Sequence, residues 1–513
     1  MFPRSGPIQV RSSYCTVRRV RPSTQRSSSC AGFFVGAVSR HGIRTSIRTA
    51  ALVLLLWASG ALPLRAGEPS EVFHARRVKL MDQVKDGVIV LFGLKESENP
   101  GADLTPFRQE DEFYYLTGWQ EPGAVLMLLP KGRQNIATAL FPSEHTVREI
   151  LFLPERDPVR ERYTGPKMDA LNKQALEVTG LPLVLPLGRF PGELTNALSS
   201  GGRIYTLFPA PGSDIRISRE EEKVEMLRTA APFAEIHDVR RSLDNLRLTK
   251  DKSEMELLRK AVEASVDAHL DAAREIRSGV MEYQIAARLR YTWESEGCDR
   301  AAYAPIVGSG INSTTLHYNK NSAEMKSGDT VVIDAAAECG GYAADITRTF
   351  PVSGKFSPRQ KEIYELVLGA QNAAFKSILP GKTTLRDLTD LAREYFKKSP
   401  LRGPKGPTDT LDNYFIHGIG HWIGLNVHDV GDSSHPIDKN MVFTIEPGIY
   451  IPDEKLGVRI EDDYAVDDQG RVIKLSARLG SSIEEVERMM KAEPIKKAAA
   501  PESEPPSQSR KSF

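Results

Sequence analysis

Cysteine is scarce in this sequence. The 513 residues include four cysteines, of which Cys15 and Cys30 lie in an arginine-rich amino-terminal segment and Cys298 and Cys339 follow it. A disulfide framework is therefore excluded for the folded part of the chain. One bridge between Cys298 and Cys339 can form, but no sequence feature indicates it, and Cys339 has no histidine-paired motif that would make it a nucleophile.

Net charge is also nearly absent. The 68 basic and 67 acidic residues leave a formal charge of +1, so the overall charge predicts neither a nucleic acid nor an acidic membrane as partner. The composition, 40% hydrophobic and 26% charged, is typical of a soluble globular protein. At this length the chain favours two domains over one.

Acidic residues are missing from the first 67 positions, which contain ten arginines. This segment ends in an apolar stretch from Ala50 to about Leu64, which is short for a membrane span and is followed by small residues. The pattern predicts an export signal, residues 1–66, and a secreted or periplasmic protein without a stable membrane span. A mitochondrial transit peptide is the alternative, and a start site assigned upstream of an ordinary signal would explain the same residues.

The rest of the chain divides by pattern. Strand-like runs alternate with polar helical stretches over residues 67–246, which predicts an α/β domain without a nucleotide-binding signature. A second domain is expected over residues 247–492, beginning with a helix capped by Ser253 and Glu256. The tail, residues 493–513, is rich in Pro, Ser, Lys and Glu and is predicted to be disordered.

The second domain shows a weak internal repeat. "REIRSGVMEYQIAARLRYTWE" and "KSILPGKTTLRDLTDLAREYF" each place a glycine, Gly279 or Gly381, between the end of one helix and the start of another. The similarity indicates two related halves within residues 250–490. A duplicated unit would place a functional site at the pseudo-twofold axis between the halves.

Four acidic residues lie where burial is expected. Asp334 ends a Val-Val-Ile run, and Asp345 follows a Gly340-Gly341 turn, so both lie on a predicted β-hairpin. Glu446 and Glu461 each close an apolar run that is typical of a strand. Because buried carboxylates are costly without a cation or several hydrogen-bond donors, their arrangement predicts a metal site.

Histidines concentrate in "HGIGHWIGLNVHDVG", where His417, His421 and His428 fall within twelve positions. Gly and Ile follow His417 where a zincin has a helical Glu, so the sequence does not favour a mononuclear zinc protease of the HExxH type. Four acids with one imidazole form an oxygen-rich ligand set, which suits Mn²⁺ or a similar ion better than a thiolate zinc site. Five protein ligands suit two ions that share carboxylates.

Several long phrases, in order, resemble the M24 "pita-bread" metallopeptidases and, within them, the proline-specific branch of aminopeptidase P and prolidase. They are "LHYNKN", "VVIDAAAECGGYAADITRTFPVSGKFS", "HGIGHWIGLNVHDVG", "TIEPGIYI" and "GVRIEDDYAV". The phrase "FRQEDEFYYLTGWQEPGAVLMLLP" resembles the aminopeptidase P amino-terminal domain. The resemblance covers roughly residues 70–490 and implies an amino-terminal α/β domain followed by a pita-bread catalytic domain, α/β (α+β) in class.

The resemblance also implies roles for single residues. Asp334 would bind one ion, Asp345 and Glu461 would bridge both, and His421 and Glu446 would bind the other. His317, His428 and Arg459 would contact the substrate, and His417 would shape the same pocket. Trp422 and Tyr450 have two interpretations that the sequence does not separate: residues of the same substrate pocket, or aromatic wall residues.

The implied activity is hydrolysis of the bond between an amino-terminal residue and a penultimate proline by a hydroxide held between two divalent ions. The ions are expected to be Mn²⁺, with Co²⁺ or Zn²⁺ as alternatives, and Glu446 would accept the proton. Peptides with proline at position 2 are the expected partners, and a homo-oligomer, a dimer or tetramer, is implied. The competing hypotheses are a prolidase-like dipeptidase and a catalytically silent interaction protein.

Overall fold

The structure is a computed structural model that describes residues 68–95, 107–134, 146–172, 174–198, 202–209 and 219–491. The predicted leader, residues 1–66, and the predicted tail, residues 493–513, lie outside the described residues. Within the described part of the chain, we find no helix with the length and apolar character needed to cross a bilayer.

The amino-terminal domain is built on a mixed six-stranded sheet with the order β4-β3-β2-β1-β5-β6. Its strands are β1 (Val88–Phe92), β2 (Val125–Arg133), β3 (Val147–Leu153), β4 (Val184–Pro186), β5 (Gly202–Thr206) and β6 (Ala234–Asp238). The central pairs β1–β2 and β2–β3 are antiparallel, whereas β4, β5 and β6 pair in parallel with their neighbours. The runs "GVIVLFGL", "GAVLMLLP" and "RIYTLF" contribute β1, β2 and β5, so their prediction as strands is confirmed.

Both faces of this sheet are covered. Alternate residues of β1 enter different apolar clusters: Val88 and Val90 pack on one face, while Ile89 and Leu91 join a larger core that continues into the second domain. The helices of this part of the chain are α1 (Ser70–Val84), α2 (Asp111–Thr117), α3 (Glu161–Thr164), α4 (Ala175–Thr179), α5 (Phe190–Ala197), α6 (Arg219–Ala230) and α7 (Arg240–Leu248). Strands buried on both faces lose the polar–apolar alternation, which explains the continuous apolar runs in the sequence.

The second domain repeats one arrangement of elements. Its first half contains α8 (Lys252–Ala273) and α9 (Glu282–Ser295), then β7 (Arg300–Ala301), β8 (Ile306–Ser309), β9 (Thr330–Asp334), β10 (Ala337–Cys339), β11 (Tyr342–Ala343) and β12 (Thr347–Pro351). Its second half contains α10 (Pro358–Ser377) and α11 (Leu385–Lys398), then β13 (Val442–Ile445), β14 (Gly448–Ile451), β15 (Leu456–Arg459), β16 (Asp462–Val466) and β17 (Val472–Lys474), and α12 (Ile483–Met489) closes the domain. Each half thus places a helix pair before antiparallel strands, as the repeated phrases predict.

One sequence expectation is wrong, and one point that the sequence left open is decided by the structure. The cap of α8 is Asp251 with Glu254, not Ser253 with Glu256: the Asp251 side chain accepts from the Ser253 and Glu254 N–H groups, and the Glu254 side chain accepts from the Asp251 N–H. Cys298 and Cys339 form a disulfide, which no sequence feature indicated. The bridge forms because β7 pairs antiparallel with β10, bringing together two segments that are 41 residues apart.

Candidate metal centre

Asp334 and Asp345 meet on the predicted hairpin. Asp334 ends β9 and lies opposite Thr347 of β12, while β10, Gly340, Gly341 and β11 form the tip that leads to Asp345. Both glycines have positive φ, 61° and 84°, a backbone conformation that residues other than glycine rarely adopt. The two carboxylates are buried, with exposed fractions of 7% and 6%.

Glu446 and Glu461 arrive from the second half of the domain. Glu446 follows β13 directly, and its N–H donates to the Ile419 carbonyl over 2.7 Å. Glu461 precedes β16 and pairs with Thr347 of the first half: the Thr347 hydroxyl donates to Oε2 of Glu461 over 2.5 Å. The Glu461–Thr347 contact therefore joins the two halves at the acidic residues.

His421 is held beside these acids by the backbone. Its N–H donates to the Thr444 hydroxyl over 3.1 Å, and its carbonyl accepts from the Thr444 N–H over 2.9 Å. A Cβ at the preceding Gly420 would lie 2.1 Å from the Thr444 carbonyl oxygen, so this approach requires glycine. Nε2 of His421 lies 3.3 Å from Oδ2 of Asp345 and 3.6 Å from Oε1 of Glu446.

The donor atoms fit a cation site. One atom each from Asp345, His421 and Glu461 lies within 4.8 Å of the other two. Burial and, after it, the neighbouring carboxylates raise the pKa of Asp345, of Glu461 and of Glu446, the last to about 7. Burial alone would lower the pKa of His421, but the carboxylates of Asp345 and Glu446 raise it to about 9. The acids thus lack enough positive charge around them, which divalent cations would supply.

A chain of hydrogen bonds forms the wall beside Asp334. Arg459 donates from Nη2 to Asp334 over 2.6 Å and from Nη1 to the Tyr450 hydroxyl over 2.9 Å. The Gly418 carbonyl beside Nδ1 of His417 can only accept, so Nδ1 carries the proton of the neutral ring and Nε2 accepts from the Tyr450 hydroxyl over 2.9 Å. Nδ1 of His417 then donates to the Gly418 carbonyl, and burial lowers the pKa of His417 to about 4. Both ring nitrogens of His417 are therefore engaged in a neutral ring.

One cavity of about 520 Å³ collects the predicted residues. It is lined by all nine of them: Asp334, Asp345, His317, His417, His421, His428, Glu446, Arg459 and Glu461. The ring of His428 lies edge-on to that of His421, with 4.4 Å between centroids. Trp422 is outside this lining; it is buried against Phe443 and donates from Nε1 to the Asp432 carbonyl. The interpretation of Trp422 as a structural aromatic is the one its contacts support.

The sequence interpretation missed two residues that contact these acids, Tyr303 and Asp463. The Tyr303 hydroxyl lies 2.5 Å from Oδ1 of Asp334 and 2.5 Å from Oδ1 of Asp345. Asp463 accepts the N–H of Asp345 at its Oδ2 over 3.1 Å. Asp463 is the third acid of "IEDDYAV", which was the only sequence signal for it, whereas nothing in "AAYAPIVG" distinguishes Tyr303.

Comparison with known proteins agrees with this geometry. The family model of the aminopeptidase P amino-terminal domain matches residues 73–205, and that of metallopeptidase family M24 matches residues 256–468. The Xaa-Pro aminopeptidase of Haemophilus influenzae is 34% identical over 82% of this chain and 97% of that protein. Aminopeptidase P from Escherichia coli with the inhibitor Pro-Leu is 32% identical, covers 83% of this chain and 99% of its own, and has a TM-score of 0.72. A zinc-substituted form of that enzyme in complex with product is 30% identical, covers 83% and 99%, and has a TM-score of 0.70.

The chain therefore belongs to metallopeptidase family M24. It belongs to the aminopeptidase P branch of that family. Residues 73–205 match the aminopeptidase P amino-terminal domain, and the relatives named above are matched over 97% and 99% of their own length. The predictions of a pita-bread catalytic domain and of a metallopeptidase enzyme are confirmed.

Proposed function

We propose that this chain is a metal-dependent aminopeptidase that hydrolyses the bond between an amino-terminal residue and a penultimate proline. One observation carries the proposal: all nine predicted site residues line a single cavity in a chain that matches 97% of a relative named Xaa-Pro aminopeptidase. Peptides with proline at position 2 are the proposed partners.

We assign the ligands as the resemblance implies. Asp334 would hold one divalent cation, His421 and Glu446 would hold the other, and Asp345 and Glu461 would contribute to both. The short distances from His421 to Asp345 and Glu446 support this set, as does the burial of Asp334, Asp345 and Glu461. Mn²⁺ is the proposed ion because oxygen ligands outnumber nitrogen ligands, and Co²⁺ and Zn²⁺ are the alternatives.

When bound, the cations lower the pKa of water and polarise the carbonyl oxygen before proline. Glu446 is suited to accept the proton of the attacking water, because its carboxylate lines the cavity beside His421, with Oε1 3.6 Å from Nε2 of that histidine. His428 and His317, which line the cavity without being assigned as ligands, are suited to donate a hydrogen bond to the oxygen that gains negative charge. His417, with both nitrogens already engaged, orients Tyr450 instead.

The decisive experiment compares the tripeptide Arg-Pro-Pro with the dipeptide Gly-Pro after chelation and readdition of Mn²⁺, Co²⁺ or Zn²⁺. We expect the chelated protein to be inactive and Mn²⁺ to restore release of arginine from Arg-Pro-Pro. Arg-Ala-Pro is the matched substrate control, since it lacks only the penultimate proline. Faster turnover of Gly-Pro would instead establish the dipeptidase, and no turnover of any peptide with any ion would refute the enzymatic function.

Processing and assembly belong to the same proposal. We propose that the export signal is cut near Ala66 and that the mature enzyme is a homo-oligomer. Amino-terminal sequencing of native protein tests the first point, because cleavage near residue 40 in an organelle would favour the transit peptide. Light scattering during gel filtration tests the second, and a mass of one chain would contradict it.

A further inference from the structure

His428 depends on its backbone for its position. Within the part of the chain that the structure describes, its ring has no hydrogen-bond partner and lies edge-on to the His421 ring. The segment that carries it, residues 424–429, is here called the His428 loop. Whatever holds this loop therefore determines where the His428 ring lies in the cavity.

Asp429 anchors the loop at its end. Its side chain is 1% exposed, and it accepts from Nη2 of Arg247 over 2.6 Å and from Nζ of Lys250 over 3.0 Å. Its N–H donates to the Trp422 carbonyl over 2.9 Å. A Cβ at Gly424 would lie 2.1 Å from Oδ2 of Asp429, so the start of the loop packs tightly against the carboxylate at its end.

Arg247 connects this anchor to the amino-terminal domain. Its other terminal nitrogen, Nη1, donates to Oε1 of Glu112 in α2 over 2.9 Å, and the Arg247 side chain is 2% exposed. Arg108, just before α2, donates to the Leu425 carbonyl over 2.7 Å. The Asn426 amide donates to the carboxylate of Asp111. The amino-terminal domain thus contacts the His428 loop directly and holds its anchor through Arg247.

The charges in this cluster depend on one another. Burial alone would raise the pKa of Asp429, but Arg247 and Lys250 lower it below its ordinary value, so the carboxylate is charged. Removing one partner of a buried ion cluster leaves the others without compensation, and the segment can then relax toward water. A shift of about 1 Å in a group that contacts the reacting atoms can lower a rate by about 10²-fold.

We infer that Asp429 and Arg247 are positioning residues for His428 and that the amino-terminal domain, through Glu112, takes part in the reaction by holding the His428 loop. This inference rests on the proposed function, in which His428 contacts the substrate. None of the three residues lines the cavity or is assigned to a metal ion, so they act through His428.

The test is a double-mutant cycle with Asp429→Asn and His428→Ala in the metal-loaded enzyme. Asp429→Asn keeps the shape and removes the charge, and we expect it to lower kcat for Arg-Pro-Pro by between about 10- and 100-fold with unchanged metal content. In the His428→Ala background the same substitution should have no further effect on kcat. Glu112→Gln should act in the same direction with a smaller loss.

Controls separate positioning from general destabilisation. Glu149→Gln removes a carboxylate that is also buried, with a side chain 3% exposed, and paired with Arg77 inside the amino-terminal domain, so it should lower the melting temperature without changing kcat. If Asp429→Asn does not fold, Arg247→Lys replaces it, because a single ammonium cannot reach both Asp429 and Glu112 as the guanidinium does. An equal loss of kcat in the wild-type and His428→Ala backgrounds would overturn the inference.

A second readout does not depend on turnover. In histidine-labelled, zinc-loaded protein, the Cε1–Hε1 resonance of His428 is assigned by its loss in His428→Ala. We expect Asp429→Asn to shift or broaden this resonance and Glu149→Gln to leave it unchanged. An unshifted His428 resonance in Asp429→Asn would refute the positioning role. If the wild-type protein is inactive on every peptide but Asp429→Asn still shifts the His428 resonance, the proposed function is refuted and the positioning role is not.

Discussion

Arg459 donates from Nη2 to Oδ2 of Asp334 across 2.6 Å, and both side chains are buried. The guanidinium therefore places a permanent positive charge on one side of the Asp334 carboxylate. We assign the other side of that carboxylate to a metal ion. Without Arg459, a bound cation would be the main compensation left for Asp334. The stability of the protein should then depend more strongly on metal.

This relationship predicts the behaviour of Arg459→Met. Removing one partner of a buried ion pair costs about 3–5 kcal/mol, so the chelated variant should melt well below the chelated wild type. Adding Mn²⁺ should raise its melting temperature by more than it raises that of the wild type. Arg478→Met, which removes a half-exposed partner of Asp267, is the control and should respond to metal as the wild type does. Equal metal responses in all three proteins would contradict the proposed compensation.

The raised pKa of Glu446 predicts a pH-dependent difference between the chelated and the loaded protein. Its folded value of about 7 exceeds the ordinary value, so without metal the folded state binds more protons than the unfolded state. This contribution to stability is complete below about pH 4.5 and is lost as pH rises through about 7. Metal keeps the carboxylate deprotonated, so the loaded protein has no such loss.

We therefore expect the stabilisation by metal, measured as a difference in melting temperature, to increase between pH 5 and pH 8. Metal binding should release protons below pH 7, which calorimetry in buffers of different ionisation enthalpy measures. In the chelated state Glu446→Gln should show a flatter pH profile, because glutamine resembles the protonated acid. Glu484→Gln is the control: it changes an exposed glutamate and should keep the pH profile of the wild type. A metal effect that decreases with pH would contradict the assignment.

The Cys298–Cys339 disulfide predicts a sizeable stability contribution. It closes a loop between residues 41 positions apart, for which loop entropy gives up to about 4 kcal/mol. The double substitution Cys298→Ala and Cys339→Ala should lower the free energy of unfolding in urea by about 2–4 kcal/mol, with metal content unchanged. A reducing agent should destabilise the wild type similarly and leave the double variant unaffected. Two alkylatable thiols in native protein would contradict the bridge.

The hairpin acids could be predicted from sequence because their signals are local. An apolar run that ends in Asp334 and a Gly-Gly turn before Asp345 describe a strand, a turn and a return strand within 20 residues. The α8 cap was misplaced by two residues for a related reason: Asp251 and Ser253 are both favourable N-cap residues, and the helix begins after the first of them.

The remaining contacts of the site could not be predicted because they join distant segments. Tyr303 contacts acids 31 and 42 residues away, and Asp429 pairs with cations 182 and 179 residues before it. A single tyrosine two positions before a proline, or a single aspartate after a histidine, has no periodicity that reveals its partner. Only the packing of β9, the hairpin tip and the inter-domain helix α7 brings these groups together.

Tyr303 provides a final prediction, since its hydroxyl contacts Asp334 and Asp345 at 2.5 Å each. A phenol has one proton and can donate to only one carboxylate at a time, so it orients the pair without supplying positive charge. Tyr303→Phe keeps the ring in the cavity wall and removes only this hydrogen bond. Substitutions beside metal ligands typically cost about 10- to 100-fold in metal affinity or activity, and we expect a loss of Mn²⁺ affinity in this range. Saturating Mn²⁺ should then restore most of kcat.

The control is Tyr318→Phe, which removes a hydroxyl that donates to Glu282 in the first half of the same domain and should leave Mn²⁺ affinity unchanged. Titration of chelated protein with Mn²⁺, followed by activity and by direct metal analysis, measures both quantities. An unchanged affinity in Tyr303→Phe would mean that the hydroxyl does not orient the carboxylates for metal.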